Sequence, residues 1–313
     1  MKGNVRWQVQ QLYSSLAAIG ASKHAAKSAA YSNGAKTQAE VAKITGIHSY
    51  ATADAYRDVW RAVGEFARSE YGIRDMEKLT GQHAAAWLES KINDGIARAT
   101  FDKYAAATSK LEAALNRYSE INEKGNKYDF NLKDVRSLGI KELGTRNHEP
   151  RAYADPISML SRLDSQHSLA ANIQLEGGAR VKEASQIKAE QLHGIHADKI
   201  TGEMKGQISV VGKGGKARVI QVSPNTYNNL KNAINASGGV YKAGDYKEYL
   251  SSLKHAANET KQDYSGTHGL RWTFAQGRMS ELQQNGMSYE ESLHQVSNEM
   301  GHDRSDITEH YLK

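Results

Sequence analysis

Near the end of this sequence Tyr311 follows the pair Gly301-His302 by nine residues, within Met300-Gly301-His302-Asp303-Arg304-Ser305-Asp306-Ile307-Thr308-Glu309-His310-Tyr311. That spacing says little by itself. Gly301 can simply end a helix, and Tyr311 can be a core residue with its hydroxyl at the rim. Three upstream stretches give it weight: Gly178-Ala179-Arg180-Val181-Lys182-Glu183, Gly212-Lys213-Gly214-Gly215-Lys216 and Thr267-His268-Gly269-Leu270-Arg271. Their order and residue types suit a site in which a tyrosine attacks a phosphodiester.

A phosphodiester is an anion, so it repels an incoming oxygen, and charge builds on its non-bridging oxygens in the transition state. Guanidiniums hold such oxygens with paired, directional donors, which an ammonium does less well. Arg180 and Arg271 are the candidates for that clamp. Each also suits a plain ion pair, and Glu183, three residues after Arg180, can both pair and orient. Tyr311 is the candidate nucleophile; a phenol titrates near about pH 10, so it needs nearby positive charge or a base. The arginines supply the field. His268 can take the proton or position the phosphate, and His302 suits a hydrogen-bond donor to the phosphate. Either histidine alone reads equally as a helix cap or a satisfied core residue. His310 is left out, because consecutive helical residues point apart.

The chain has 313 residues, enough for two domains. It holds 41 Lys and Arg against 35 Asp and Glu, a net charge of +6, which permits a polyanionic partner without requiring one. With no cysteine, disulfides, thiol catalysis and Cys-ligated zinc are excluded. No apolar run approaches the roughly 20 residues of a membrane span, and the N-terminus lacks an apolar signal core, so a cytoplasmic location is expected. His193-Gly194-Ile195-His196 has ligand-like spacing, but it reads as a loop without a third ligand, so no metal is expected.

The elements that must position these residues are mostly helical. Val5, Val9, Leu12, Leu16 and Ile19 follow helical spacing. Tyr56, Val59, Trp60, Val63 and Phe66 form one buried face, Trp87, Leu88 and Ile92 a second, and Phe101, Tyr104, Leu111 and Leu115 a third. Polar faces of the same helices carry Arg57, Arg61, Arg68, Lys91, Arg98, Lys103 and Lys110, a DNA footprint only if they converge in space. A polar stretch with a helix breaker, Arg146-Asn147-His148-Glu149-Pro150-Arg151, predicts a domain boundary. Beyond it a helix is predicted from Arg180 through Ile187. Ile208, Val210, Val219 and Val222 alternate across the glycine-rich turn as a hairpin. Ser288-Tyr289-Glu290-Glu291 opens a helix through Met300, and a last helix holds Ile307 and Tyr311.

Arg in a Gly-x-Arg-x-x-Glu context, a lysine in a β-turn, His-x-x-Arg, and Gly-His with a tyrosine nine residues on resemble the tyrosine recombinase (phage integrase) family. The catalytic resemblance covers about 150–313, and 50–116 looks like that family's core-binding domain. Arg271 and His302 are 31 positions apart, a wider gap than the family suggests, with Gln283-Gln284-Asn285-Gly286 read as an inserted loop. The chain ends soon after Tyr311, which argues against subunits exchanging a longer tail.

The resemblance implies a mainly α fold with a small β-hairpin or sheet. Residues 1–48 would be a helical extension, with an arm-type DNA-binding role open; 49–148 a helical core-DNA-binding domain; and 149–313 an α+β catalytic domain. It implies a site-specific DNA recombinase acting through a covalent 3′-phosphotyrosyl intermediate. Arg180, Lys213, His268, Arg271, His302 and Tyr311 would be catalytic, with Glu183 behind them. Lys213 would protonate the leaving 5′-oxygen, with Lys205 and Lys216 as rivals. Arg57, Arg61, Lys103, Lys110, Arg151 and Lys216 are the candidates for contacting DNA. The implied partners are double-stranded DNA, further copies of the chain as a tetramer on paired sites, and accessory DNA-bending or directionality proteins. No cofactor is implied. A type IB topoisomerase-like relaxing enzyme would use the same chemistry. A non-catalytic architectural DNA-binding protein would keep the fold without needing the nucleophile.

Overall fold

In a computed structural model, the described residues are all but 145–148, 213–214 and 303. The chain forms two compact units, Met1–His148 and Glu149–Lys313.

The first unit is helical: α1 (Val5–Leu16), α2 (Lys23–Ser32), α3 (Gln38–Ile44), α4 (Tyr50–Tyr71), α5 (Gly81–Asn93), α6 (Arg98–Ile121) and α7 (Lys133–Glu142). Side-chain caps start several of them, Asn4 for α1, Ser22 for α2, Thr37 for α3 and Ser49 for α4. At the start of α4 the Ser49 hydroxyl accepts from the Thr52 N–H. The far end of this helix stops at Gly72 in the left-handed conformation. The apolar faces of α1, α4, α5 and α6 close over one core that includes Leu12, Trp60, Leu88 and Leu111. The Trp60 indole N–H donates to the Ala107 carbonyl at 2.7 Å, which satisfies the one polar atom of that ring. Residues 1–48 do not form a body of their own. Val5, Val9, Leu12 and Leu16 of α1 belong to this same core, and a bridge between Ala17 and Ile47 closes off α2 and α3.

Lys110 departs from the expected DNA-facing position. It is buried, and its ammonium donates to the carbonyls of Ala42, at 2.5 Å, and Thr45 at the C-terminal end of α3. That end of a helix carries partial negative charge, which favours a cation there. Burial lowers its pKa to about 8. Arg57 is engaged by Asp54, by Gln10 at 3.1 Å and by the Tyr13 ring, and Arg61 by Asp58 at 3.2 Å, while Lys103 is exposed.

The second unit mixes helices with two small antiparallel sheets. It begins with α8 (Pro156–Leu160), α9 (Ser165–Gly177) and α10 (Val181–Ala184). The chain then runs through β1 (Gln186–Lys188), β2 (Leu192–Ala197), β3 (Met204–Val211), β4 (Ala217–Val222), α11 (Pro224–Ala236) and β5 (Val240–Lys242). It closes with α12 (Tyr246–Glu259), α13 (Gly266–Gln284), α14 (Tyr289–Met300) and α15 (Ser305–Glu309), the last continuing as a 3-10 turn over His310–Leu312. One sheet has the order β2-β3-β4, and the other pairs β1 with β5.

Several local expectations change. The helix predicted through Ile187 stops at Ala184, because Ile187 pairs with Tyr241 in the smaller sheet. Residues 193–196 lie in β2, not in a loop. Gln283 and Gln284 belong to α13, while Asn285 and Gly286 lie in the short turn to α14, so most of the wide gap before His302 is helix. On β4 it is Ile220 and Val222 that face inward, while Val219 is exposed.

Arg278 of α13 joins the layers. It donates to Asp198 at 2.8 Å, Glu281 at 2.7 Å and Glu299 at 2.9 Å, tying the end of β2 to α13 and α14. No helix among the described residues is long and apolar enough to cross a membrane.

Because Lys110 donates to two carbonyls at the end of α3 from a buried position, Lys110→Ala is expected to destabilise the first unit by about 1–3 kcal/mol. Chemical denaturation should show a lowered midpoint together with faster amide exchange in α3. An unchanged midpoint would mean those carbonyls are satisfied without it.

Candidate active site

Two glycine-ended helices prepare the site. Helix α9 ends at Gly178 and α14 at Gly301, both in the left-handed conformation, with φ of 61° and 68°. A side chain at 178 would sit 2.5 Å from the Phe274 ring, so the turn requires glycine for space as well as for φ. Both helices therefore end with carbonyls that need donors.

Arg271 supplies them. It is 1% exposed, and its guanidinium donates to the Gly178 carbonyl and, at 3.2 Å, to the Met300 carbonyl. Burial, then the charge of Arg180, lowers its pKa to about 10, which leaves it cationic at neutral pH. Its hydrogen-bond partners among the described residues are carbonyls and an imidazole, so no carboxylate neutralises it directly.

Arg180 lies at the N-cap of α10. Its backbone N–H donates to Glu183 Oε2 at 2.7 Å and its Nη1 to Oε1 at 2.9 Å, while among the described residues Nη2 reaches the Gly301 carbonyl, at 3.5 Å. Among those residues one arm of Arg180 is thus firmly held and the other weakly.

His302 follows Gly301. Its Nδ1 lies 2.8 Å from Thr308 Oγ1 and its Nε2 3.3 Å from Arg271 Nη2. Arginine can only donate, so Nε2 accepts and the proton is assigned to Nδ1, which donates to Thr308. In this arrangement His302 orients Arg271. Burial, then Arg271, Arg180 and Arg218, lowers its pKa to about 4.

Helix α13 carries His268, Arg271, Trp272 and Gln276 at spacings that share a face. Tyr311 is 7% exposed and packs on this face, its ring 5.3 Å from both Trp272 and His268 and 5.4 Å from His302. Its hydroxyl lies 2.8 Å from His268 Nε2. Burial and the nearby Arg271 lower the His268 pKa to about 4, so the imidazole is neutral and can accept the phenolic proton. Gln276 Nε2 donates to the Tyr311 carbonyl at 3.2 Å, holding the backbone of the same residue. His310 packs edge-on against Trp272.

The structure thus brings together Arg180, His268, Arg271, His302 and Tyr311, with Glu183 beneath Arg180. Lys213 lies outside the described residues. The turn around it is closed by Gly212 N–H to Lys216 O at 2.8 Å and Gly215 N–H to Gly212 O at 3.1 Å. Lys216 is exposed, and Lys205 is paired with Glu203 and Glu281. Arg151 donates to the Ser265 carbonyl at 2.7 Å, at the start of α13. Arg218 was missed. It binds Glu183 through two nitrogens, at 3.0 and 2.6 Å, and donates to the Glu299 carbonyl at 2.8 Å. Strict alternation back from Ile220 and Val222 places residue 218 on the inward face, and a buried arginine demands a partner.

In DNA-free protein His268 and His302 are expected to stay neutral until about pH 4, against 6.5 for a free imidazole. An unfolded chain would take up those protons first. Each histidine therefore makes the fold lose stability as pH falls from 6.5 toward 4. Imidazole nitrogen shifts followed by NMR would test this, and midpoints near 6.5 for both would contradict it.

No family model and no curated protein sequence matches this chain. Solved structures do. XerH site-specific recombinase bound to palindromic difH substrate, a post-cleavage complex, matches over 98% of this chain and 91% of its own, with a TM-score of 0.66 and 17% identity. Its pre-cleavage complex with difH gives 0.63 and 18%, over 98% and 92% of the two chains. The Tn1549 transposon integrase in complex with a circular intermediate DNA gives 0.56 and 16%, over 97% and 95%. The chain has the tyrosine recombinase fold along nearly its whole length.

Proposed function

We propose that this protein is a site-specific DNA recombinase that cuts and rejoins duplex DNA through a covalent 3′-phosphotyrosyl intermediate. The observation that carries the reading is the Tyr311 hydroxyl, 2.8 Å from a neutral His268 Nε2 and beside the cationic Arg271. The phenolic proton passes to His268 as Tyr311 Oη bonds to phosphorus. The bond from phosphorus to the 5′-oxygen breaks, and that oxygen leaves as a hydroxyl with a proton from Lys213, a role resting on sequence alone. Arg180 and Arg271 meet the charge that builds on the non-bridging oxygens. The phosphotyrosine keeps the bond energy, so a 5′-hydroxyl from another strand can reverse the step without a nucleotide cofactor.

Charge distribution supports a DNA partner. Residues 1–39 contain Lys2, Arg6, Lys23, Lys27 and Lys36 and no acidic residue, so five of the six net positive charges lie there. Within that stretch α2 buries only Ala30. A helix with Lys23 exposed and Lys27 half-buried, and with so little buried surface, suits contact with phosphates. The related structures are described as complexes with DNA. Assembly of several copies on paired sites and a cytoplasmic, nucleoid-associated location belong to the same proposal. Recombination is favoured over simple relaxation because the related proteins are a site-specific recombinase and a transposon integrase. An architectural role is disfavoured because binding alone would not need Tyr311 set against His268.

Fragments of the DNA flanking the gene, incubated with the protein and denatured, should yield a slowly migrating adduct with wild type. Tyr311→Phe should bind the same fragments and give none. Adduct persisting in Tyr311→Phe would refute the nucleophile, and binding without adduct in wild type would refute strand cleavage. Lys23→Gln with Lys27→Gln should flatten the salt dependence of binding by about two units of slope. An unchanged slope would remove α2 from the interface.

A further inference from the structure

Arg218 of β4 touches three of the stretches that build the site. Its fork binds Glu183 on the Gly178–Glu183 stretch, and its Nε donates to the Glu299 carbonyl just before Gly301-His302. A Cβ at Gly212, beside Lys213, would come within 3.3 Å of its Nη1, and one at Gly301 within 3.1 Å of its Cδ. We infer that Arg218 is a positioning residue for strand cleavage, acting through Glu183 to hold Arg180 ready for the phosphate. The inference rests on the recombinase reading above.

A carboxylate offers about four acceptor positions. In Glu183 they are filled by the Arg180 backbone N–H, Arg180 Nη1, Arg218 Nη1 and Arg218 Nη2. Arg218 takes one whole edge of the carboxylate, so only one arm of Arg180 can engage it. The Arg180 side chain is 31% exposed and the Arg218 side chain 8%, so Arg180 faces outward and Arg218 does not. Burial alone would raise the Glu183 pKa, but hydrogen bonds from Arg218 and from the Arg180 backbone hold it down at about 2. Glu183 is therefore an anion at the edge of an anion-binding site, tolerable because Arg218 compensates it. Without Arg218 the carboxylate would repel the phosphate and would be free to draw in both arms of Arg180. Both consequences fall on the reacting phosphate, not on groove contacts elsewhere.

Single-turnover cleavage of a nicked suicide substrate, with binding measured in parallel, separates the outcomes. Arg218→Met should cleave about 100-fold more slowly while affinity changes less than about 3-fold. Adding Glu183→Gln to it removes the uncompensated charge and should restore about 10-fold of the rate, so the two changes are not additive. Arg218→Lys keeps the charge without the fork and should be slowed by about 10-fold. It carries the test if Arg218→Met does not fold. Wild-type rates in Arg218→Met or Arg218→Lys, or no recovery in the double variant, would overturn the inference and leave the recombinase reading standing. No adduct with wild type would overturn that reading, and this inference with it.

Discussion

Among the described residues, Arg271 is a buried cation held by helix-end carbonyls instead of a carboxylate. Desolvating a guanidinium is costly, and a protein usually offsets that cost with an acidic partner. Here the offset comes from the carbonyls of Gly178 and Met300, at the negative ends of α9 and α14. The consequence is electrostatic. A carboxylate would cancel the charge, whereas dipoles stabilise it and leave net positive charge for an anion. The two left-handed glycines, the Phe274 ring packed against Gly178, and the His302 imidazole that accepts from Arg271 all follow from placing this one side chain.

The same logic explains the neutral histidines. Burial disfavours a protonated imidazole at both positions, and guanidiniums add to the effect: Arg271, Arg180 and Arg218 at His302, and Arg271, Arg151 and Arg180 at His268. A neutral His302 can lock Arg271 through one nitrogen and Thr308 through the other. A neutral His268 presents a lone pair to Tyr311. Site charge and proton acceptance are thus coupled: the field that attracts a phosphate adds to burial in keeping the acceptor unprotonated.

Helix α13 makes the geometry rigid. From a single face it supplies the acceptor for the Tyr311 hydroxyl, the ring that packs against it and the amide that holds its carbonyl. Farther along the same helix, Arg278 anchors it to Asp198 and Glu299. Tyr311 therefore needs little regular structure of its own, and a short helix followed by a 3-10 turn suffices.

Local features were legible in the sequence because their causes are local. Periodicity marked α1, α4 and α6, caps and glycines marked many helix ends, and the glycine-rich turn marked the β3–β4 hairpin. The order of Arg180, His268, Arg271, His302 and Tyr311 named a chemistry. What the sequence left open was which charged groups are buried and with whom. Lys110 reads as one more cation on a polar face, yet it closes the end of α3 from 65 residues away. Alternation along the strand places Arg218 inward, but not its partner Glu183, 35 residues earlier. The proton on His302 depends on Arg271, 31 residues earlier. Periodicity and capping act over a few residues, so the sequence alone determines them. The burial of a charge depends on compensating groups brought from distant segments, and only the tertiary structure decides that.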